Sequence, residues 1–493
     1  MEQAQYDLFI VGGGINGAGI ARDAAGRGLK VFLCERGDLA SGTSSASTKM
    51  IHGGLRYLEF YEFRLVREAL HEREVLLAAA PHIIWPMEFI LPHSPRLRGA
   101  WLVRLGLFLY DHLARRKRLA GSYQIDLRES RFGKPLKRFV KTGFVYTDCW
   151  VEDARLVILN ALQAAHNGAQ IRPRTEFVRA VRHKDHWDIV VKDAKGVEET
   201  LSATHIVNAA GPGLTAVASR IEGVTEVPKP LRLIKGSHLV VNRIYEGEHG
   251  FILQHTDRRM VFIIPFENDF TLIGTTDQPA AEGEIKNPKI SPHEIDYLLE
   301  AVNLYFTKQL TKQDIRYTYS GIRPLFDDGE EDAKAVTRDY KLTFSDGCLS
   351  VYGGKITTFR RLAEEAVDLL APDRPAWTAG DILPGGDIGD SLAAFTNAVI
   401  EAYPFLPETV ATRLASHYGS RVHELMHGIT SLEGMGQDFG HGLYAREVDF
   451  LVDQEWVRDA DDLLLRRTKL GLRTDAATRE KLDDYIKGGP SRV

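Results

Sequence analysis

The sequence predicts an α/β fold followed by a helical C-terminal region, and three observations lead to this prediction. An apolar strand near the N-terminus runs into a glycine turn that opens a helix, and a second strand follows that helix. Apolar strands around residues 204–209 and 349–352 also end in glycine turns. After a linker at 383–387, helical patterns replace such strands over residues 388–493.

The N-terminal turn has the glycine spacing of a Rossmann-like dinucleotide site. The strand at 7–11 leads into Gly12, which allows the tight turn, and Gly14 lets backbone N–H groups approach a pyrophosphate. Gly17 lets the helix at 18–26 pack close to the strand.

A second strand and an acidic residue complete this unit. The strand at 29–34 ends at Glu35, whose carboxylate can accept hydrogen bonds from ribose hydroxyls. These residues alone do not decide whether the dinucleotide is FAD or NAD. The position of the turn at the extreme N-terminus, together with the second glycine turn after residue 209, favours the elongated FAD. The predicted dinucleotide contacts are Gly12, Gly14, Ile15, Asn16, Gly17, Glu35, Arg36, Ala210 and Gly211.

A polar loop over residues 42–57 follows the dinucleotide unit. Its small hydroxyl residues, glycines and basic side chains suit a flavin phosphate or ring edge. An ordinary serine-rich loop is the alternative interpretation. The predicted flavin contacts in this loop are Thr43, Ser44, Ser45, Lys49, His52, Gly53 and Gly54.

The overall composition restricts the partners and the compartment. A formal net charge of -5 gives no general attraction to nucleic acid, so we expect no nucleic-acid partner. The three cysteines, Cys34, Cys149 and Cys348, are widely spaced, which fits a reducing compartment. The N-terminus has no basic segment followed by an apolar stretch, so we expect no signal peptide and a cytoplasmic location.

One segment suits attachment to a membrane surface. Residues 101–110 are strongly apolar and residues 115–118 are basic, as in helices that lie in a bilayer interface. A core helix with a solvated basic end is the alternative. No uncharged apolar stretch reaches the length of about 20 residues that a spanning helix needs.

Four passages resemble the FAD-dependent glycerol-3-phosphate dehydrogenases: residues 44–59, 234–238 (IKGSH), 273–277 (IGTTD) and 353–358 (GGKITT). The similarity extends through nearly the whole chain and is greatest to the bacterial aerobic, respiratory branch. It implies oxidation of sn-glycerol 3-phosphate to dihydroxyacetone phosphate by hydride transfer to FAD, with electrons passed to ubiquinone.

The resemblance also implies how the domains are arranged. A Rossmann-like FAD-binding domain, over 1–60, 145–230 and 320–385, is expected to be interleaved with an antiparallel-sheet substrate domain over 61–144 and 231–319. Residues 388–493 correspond to the helical C-terminal domain of this family.

A flavin-dependent alcohol oxidation needs a firm hold on the substrate phosphate, and arginine supplies paired charge-assisted hydrogen bonds. Arg56, Arg323 and Arg338 lie in short polar or turn contexts and are the predicted phosphate ligands. A structural salt bridge is the alternative for each. Tyr57 and Thr275 are predicted to contact the substrate beside them.

His238 is the predicted proton acceptor and a further substrate contact, because an imidazole titrates near neutral pH. The alternatives are a hydrogen-bonded structural histidine at this position, and His52 as the base.

The segment 349–360 repeats the strand, glycine and helix pattern. Backbone N–H groups at its predicted helix start, with the Lys355 ammonium, can stabilise negative charge on reduced flavin. A plain helix start capped by threonine is the alternative. The predicted flavin contacts here are Gly354, Lys355, Ile356 and Thr357, and the catalytic set is His238, Arg323 and Lys355.

Residues and resemblance together predict a respiratory flavoenzyme on the cytoplasmic face of the inner membrane. The main alternative is a glycerol-3-phosphate oxidase that reduces O2 to peroxide, and a second is a non-catalytic FAD-binding protein. We also expect a homodimer. The histidines of the C-terminal region, such as His417, His427 and His441, have no ligand spacing, so no metal site is predicted.

Overall fold

The computed structural model describes residues 4–93, 99–226, 229–257, 259–280, 282–327 and 339–488. The strands, in chain order, are β1 (Tyr6–Val11), β2 (Val31–Cys34), β3 (Met50–Ile51), β4 (Ile84–His93), β5 (Tyr123–Asp126), β6 (Thr142–Val151), β7 (Gln170–Arg172), β8 (Thr175–Arg182), β9 (Trp187–Asp193), β10 (Glu198–Asn208), β11 (Ile221–Glu222), β12 (Leu231–Asn242), β13 (Gly250–Gln254), β14 (Met260–Phe266), β15 (Phe270–Gly274), β16 (Gln278–Pro279), β17 (Ile315–Phe326), β18 (Lys341–Ser345) and β19 (Cys348–Tyr352). The α-helices are α1 (Ile15–Gly26), α2 (Phe63–Ala79), α3 (Ala100–His112), α4 (Asp153–His166), α5 (Leu214–Ala218), α6 (Pro292–Tyr305), α7 (Phe359–Leu370), α8 (Leu392–Ala402), α9 (Glu408–Tyr418), α10 (Val422–Leu425), α11 (Ala445–Gln454) and α12 (Ala476–Gly488).

The first sheet contains the N-terminal βαβ unit. Within the described residues it has nine strands in the order β11-β8-β9-β10-β1-β2-β7, with β19 beside β10 and β18 beside β19. β1 pairs in parallel with β2 and β10, and β10 pairs in parallel with β19. Phe9 and Phe32 are fully buried, as expected for parallel strands covered on both faces. The carboxyl ends of these four strands therefore meet at one edge.

The second sheet is largely antiparallel and has ten strands among the described residues. Its longest pairing joins β12 to β17, and β13 to β4 is a parallel pair. One face packs on α6 through residues such as Leu298 and Val302, and the other packs on α2 and α3 through Val66 and Leu107.

The C-terminal helices α8 to α12 share a core of their own, built around residues such as Leu414 and Leu451. Buried ion pairs join this core to the first sheet and its helices. Glu455 accepts hydrogen bonds from Arg155 at 3.1 Å and from Arg421 at 2.6 Å, and Asp38 pairs with Arg467 at 2.5 Å.

These observations confirm the predicted α/β class with an antiparallel second sheet and a helical C-terminal region. The helix predicted at 18–26 begins three residues earlier, at Ile15, because Gly14 already has the extended conformation of an N-cap. The proposed domain boundaries at 145 and 320 fall inside β6 and β17, which both belong to the second sheet. The division into domains stays a prediction. Among the described helices, none has the length and apolar character needed to cross a membrane.

Candidate active site

A cavity of about 1820 Å³ lies where the carboxyl ends of β1, β2, β10 and β19 face β12 and β17. Pockets for one small ligand usually measure about 300–1,000 Å³, so this cavity has room for a dinucleotide and a substrate. The predicted residues that line it are Gly12, Gly14, Ile15, Asn16, Glu35, Arg36, Thr43, Ser44, Ser45, Lys49, His52, Gly54, Arg56, Tyr57, Ala210, Gly211, Thr275, Arg323, Gly354, Lys355, Ile356 and Thr357.

Three predicted residues of the described structure are not on the cavity wall: Gly17, Gly53 and His238. Gly53 packs on α2 and α3 instead, since a Cβ there would lie 2.5 Å from a methyl of Leu70 and its N–H donates to the Tyr110 hydroxyl at 2.7 Å. Arg338 lies outside the described residues.

The dinucleotide turn requires glycine at two positions. Gly12 has a φ of +116°, and a Cβ there would lie 2.5 Å from the Ala209 carbonyl oxygen. A Cβ at Gly17 would lie 1.9 Å from the Gly12 carbonyl oxygen, so Gly17 serves the close approach of α1 to β1. The N-terminus of α1 therefore opens directly onto the cavity.

Glu35 organises the loop around this turn. One carboxylate oxygen accepts the N–H of Gly13 and the other accepts the N–H of Gly37, both at 2.8 Å. The carboxylate is thus fixed at the end of β2 and on the cavity wall. The predicted ribose contact of Glu35 stays a prediction.

Lys49 makes a buried ion pair that the sequence does not reveal. Its ammonium lies 2.7 Å from an Asp153 carboxylate oxygen and donates to the Ser45 carbonyl at 3.0 Å. Burial holds the pKa of Lys49 below its ordinary value, although Asp153 opposes this shift. Lys49 therefore shapes the polar loop as well as lining the cavity.

Cations from three further segments line the same cavity. The Arg323 guanidinium pairs with Asp277 and donates to Thr275 Oγ1 at 3.3 Å. The Lys355 ammonium lies over the Tyr57 ring, 4.0 Å from its centroid. The half-buried Arg56 guanidinium has no hydrogen-bond or ion-pair partner among the described residues. This arrangement suits a small anion.

His238 lies just behind the cavity wall. Its Nε2 is 3.0 Å from the hydroxyl oxygen of Thr48, which lines the cavity, and its ring stacks on Tyr319 with centroids 4.6 Å apart. Its Nδ1 has no hydrogen-bond partner in the described part of the chain. Burial, followed by the charges of Arg323 and Lys49, holds the pKa of His238 well below its ordinary value.

The late glycine turn differs from its predicted form. Gly353 and Gly354 have φ values of +73° and +101°, and α7 begins only at Phe359. Residues 355–358 therefore form a turn before the helix and not the helix start itself. Asn16 Nδ2 donates to the Gly353 carbonyl at 3.0 Å, which joins this turn to the first one.

Six further basic residues line the cavity without having been predicted: Arg220, Arg259, Lys286, Lys289, Arg466 and Lys469. Arg220 directly precedes β11 of the first sheet. Arg259, Lys286 and Lys289 belong to loops and strand ends of the second sheet, and Arg259 donates to the Asp277 carbonyl at 3.2 Å. The last two come from the C-terminal region. None lies in a recognisable motif, so only tertiary contact reveals them.

Comparisons with known proteins match this geometry. A family model described as "FAD dependent oxidoreductase" matches residues 7–368, and one described as "C-terminal domain of alpha-glycerophosphate oxidase" matches residues 376–487. A glycerol-3-phosphate dehydrogenase of Pseudomonas aeruginosa is 50% identical over 98% of this chain and 95% of its own length, and an aerobic glycerol-3-phosphate dehydrogenase of Escherichia coli is 47% identical over 97% of each. The chain belongs to the bacterial FAD-dependent glycerol-3-phosphate dehydrogenase family.

This family also includes a D-erythritol 1-phosphate dehydrogenase of Brucella abortus, which is 50% identical over 98% of both chains. Among solved structures, a glycerol-3-phosphate dehydrogenase of Bacillus halodurans complexed with FAD has a TM-score of 0.77 at 27% identity and covers 99% of this chain and 95% of its own. An L-alpha-glycerophosphate oxidase of Mycoplasma pneumoniae has a TM-score of 0.60 at 18% identity, covering 78% of this chain and 100% of its own, which shows the shared fold alone.

FAD is the cofactor of this flavoenzyme family, and the residues present fit it. The helix N-terminus at Gly14 and the strand end at Ala210 and Gly211 border one continuous cavity. No heavy atom lies within 4 Å of the position a Cβ would take at Gly42 or Gly211, so the cradle is open there. The resemblance, the fold class, the enzyme class and the cofactor are confirmed.

Proposed function

We propose that this protein oxidises sn-glycerol 3-phosphate to dihydroxyacetone phosphate. The observation that carries the proposal is a single cavity in which Arg56, Arg323 and Lys355 accompany the dinucleotide turn. Bound FAD supplies the hydride acceptor for such a reaction. The names of the relatives at 47% and 50% identity support the same substrate.

The basic residues hold the substrate phosphate. The Arg56 guanidinium has no hydrogen-bond or ion-pair partner among the described residues, so it can bind the phosphate directly. Arg323 is instead oriented by Asp277 and Thr275 before any ligand binds. Such fixed orientation lowers the entropy lost when the phosphate is immobilised. The phosphate position then sets which carbon of the substrate faces the flavin.

Thr48 and His238 form the route for the hydroxyl proton in this proposal. Thr48 Oγ1 takes the proton from the substrate C2 hydroxyl as its own proton passes to His238 Nε2, 3.0 Å away. A phosphate dianion beside Arg323 offsets one of the charges that lower the pKa of His238, so substrate binding makes this imidazole a better base. His52, which lines the same cavity, is the competing acceptor.

Substitution of Thr48 tests this route. A positioned proton acceptor contributes about 10²- to 10⁴-fold in rate, so Thr48→Val should slow flavin reduction at saturating substrate by at least about 10²-fold. Thr48→Ser should restore the rate, and substrate Kd should stay near the wild-type value in both. A Thr48→Val enzyme with the wild-type rate would exclude the relay and leave the role to His52, to be checked with His52→Gln.

Anaerobic titration of the flavin absorbance tests the reaction itself. Addition of sn-glycerol 3-phosphate should bleach the oxidised flavin. No bleaching by any small polyol phosphate, with a full complement of FAD, would instead indicate a non-catalytic flavoprotein.

D-erythritol 1-phosphate is a second candidate substrate, because the Brucella abortus relative named for it is as similar as the Pseudomonas aeruginosa enzyme. Both compounds carry the phosphate that the basic cluster would hold. Reduction rates for the two, measured on the same enzyme at matched concentrations, decide between them. A higher kcat/KM for D-erythritol 1-phosphate would overturn the first assignment.

We further propose that the electrons pass to ubiquinone at a membrane surface. Helix α3 exposes Trp101 to 72% and Phe108 to 56%, while Leu102 and Leu105 of the same helix also line the cavity. An exposed apolar surface continuous with a cavity mouth suits a lipid-soluble oxidant, and the basic residues 115–118 would face anionic headgroups. The proposed location is the cytoplasmic face of the inner membrane, with the chain as a homodimer.

Liposome binding tests the membrane contact with a matched pair of variants. Phe108→Ser should reduce co-sedimentation with anionic liposomes, and Phe139→Ser should leave it unchanged, because both rings are 56% exposed but only Phe108 lies on α3. Equal effects of the two substitutions would contradict the assignment of α3. Size-exclusion chromatography with light scattering tests the homodimer.

The oxidant is tested by reoxidation of the reduced enzyme. Fast recovery of absorbance with a ubiquinone analogue and slow recovery in air support the dehydrogenase. Recovery chiefly in air, with stoichiometric peroxide, would support the oxidase, which the dehydrogenase names of the closely matching relatives do not favour.

A further inference from the structure

The hairpin between β8 and β9 brings two imidazoles and a carboxylate together away from the flavin cavity. Arg182 pairs with Trp187 and Val181 pairs with Asp188, so His183 and His186 close the hairpin opposite each other. The His183 N–H donates to the His186 carbonyl at 2.9 Å. Because side chains alternate along a strand, His186 and Asp188 lie on the same face.

The ligand atoms of these three side chains are close enough to share one ion. His183 Nε2 lies 3.0 Å from Asp188 Oδ2, and His186 Nε2 lies 3.5 Å from Asp188 Oδ1. One ligand atom from each residue falls within 4.8 Å of the others. Around a tetrahedral zinc ion with bonds of about 2.0–2.1 Å, ligand atoms are roughly 3.3 Å apart. The two imidazole rings are stacked with centroids 4.9 Å apart, so rotation of the rings would turn their nitrogens towards a shared ion.

Asp185 orients one of the imidazoles. Its carboxylate lies 2.9 Å from His186 Nδ1 and accepts a hydrogen bond from the N–H there. The lone pair of the ring is then on Nε2, the nitrogen that faces Asp188. A carboxylate on the far nitrogen of a metal-bound histidine is the usual outer-shell arrangement of metal sites, since it fixes the tautomer and raises ligand basicity.

We propose that His183, His186 and Asp188 form a surface site for a divalent transition-metal ion of the zinc class, with Asp185 as the orienting group. Two imidazoles and a carboxylate suit Zn²⁺, Ni²⁺ or Cu²⁺ and not Mg²⁺ or Ca²⁺, which prefer oxygen ligands. Side-chain exposures of 45%, 26% and 46% leave room for water in the remaining position.

A bound metal ion would rigidify the hairpin and would take no part in the flavin reaction. Thr175 and Phe177 at the other end of β8 line the cavity, and at about 3.3 Å per residue the hairpin end lies roughly 20 Å beyond them. Metal binding should therefore leave the flavin spectrum unchanged.

Calorimetric titration of the untagged holoenzyme with zinc chloride tests the proposal. We expect one equivalent of saturable binding and none with magnesium chloride. Loss of an outer-shell partner costs about 10- to 100-fold in metal affinity, so Asp185→Asn should weaken binding by that factor. His183→Ala and His186→Ala should each weaken it by at least as much.

His427→Ala is the matched control, because His427 is an exposed histidine of the C-terminal region. It should bind zinc as the wild-type enzyme does. FAD content reports that each variant is folded. Absence of saturable zinc binding, equal binding of magnesium, or binding that survives both hairpin histidine substitutions would overturn the proposal.

Discussion

Replacement of Arg56 by alanine should weaken substrate binding while FAD remains bound. The Arg56 guanidinium lies on the cavity wall with no hydrogen-bond or ion-pair partner among the described residues, so the substitution breaks no such bond within the described structure. A hydrogen bond to a charged group contributes about 1.5–3 kcal/mol, and 1.4 kcal/mol is tenfold in affinity. Substrate Kd should therefore rise by roughly 10- to 150-fold.

The assay is anaerobic titration of the flavin absorbance with sn-glycerol 3-phosphate, with FAD content measured after denaturation. Arg67→Ala is the charge-matched control, since Arg67 is exposed on α2 and does not line the cavity. Its Kd should equal that of the wild type. A Kd for Arg56→Ala within twofold of wild type would refute the assignment of Arg56 to the phosphate.

Arg323→Ala gives a contrasting case, because it removes the guanidinium that pairs with the Asp277 carboxylate on the cavity wall. Substrate binding should fall further than in Arg56→Ala, since Arg323 then no longer offsets the negative charge of Asp277 near the phosphate. Arg323→Ala combined with Asp277→Asn should recover part of that loss. If the double variant binds substrate no better than the single one, repulsion by Asp277 does not operate.

Two further predictions concern cofactor binding and pH. Gly17→Ala should abolish stoichiometric FAD binding, measured by the absorbance ratio of the purified protein, because the new Cβ would lie 1.9 Å from the Gly12 carbonyl oxygen. Burial and neighbouring cations lower the pKa of His82 and of His417 to about 3, against about 6.5 when unfolded. The free energy of unfolding should therefore be unaffected by these histidines above pH 6.5 and fall as pH decreases from 6.5 to 3, by up to about 1.4 kcal/mol per pH unit for each. The His82 ring nitrogens have no hydrogen-bond partner among the described residues. His82→Leu should therefore make the dependence of unfolding free energy on pH shallower in denaturant titrations. An unchanged dependence would exclude His82 as a contributor.

The glycine turn that borders the cavity could be predicted from the sequence because the residues that form it are close together in the chain. Gly12 and Gly17 are needed within one turn, and Glu35 follows directly at the end of the next strand. Arg56 and Arg323 were predicted as phosphate ligands because they lie in short polar or turn-like sequence contexts. The structure places both on the cavity wall, but Arg323 lies within β17 and not in a turn. Their contact with the phosphate stays a prediction.

Other features depend on contacts that no local pattern encodes. Lys49 was predicted to contact flavin, but its ammonium pairs with Asp153, about a hundred positions away in the chain. His238 was expected on the cavity wall, and the pairing of β12 with β15 and β17 places it one layer behind Thr48. Lys469 reaches the cavity only because the C-terminal core docks on α4 through Arg155 and Glu455.

Arg466 and Lys469 of the C-terminal region share the cavity wall with the dinucleotide turn, so a cofactor that touches both would couple its own binding to the docking of that region. A ligand that contacts both parts favours their association, and by linkage their association favours the ligand. Ribosomal synthesis completes the dinucleotide turn long before the helices that cover it, so loading can precede closure. Without flavin this contribution to docking is lost, so proteases should cleave the flavin-free protein faster than the loaded one.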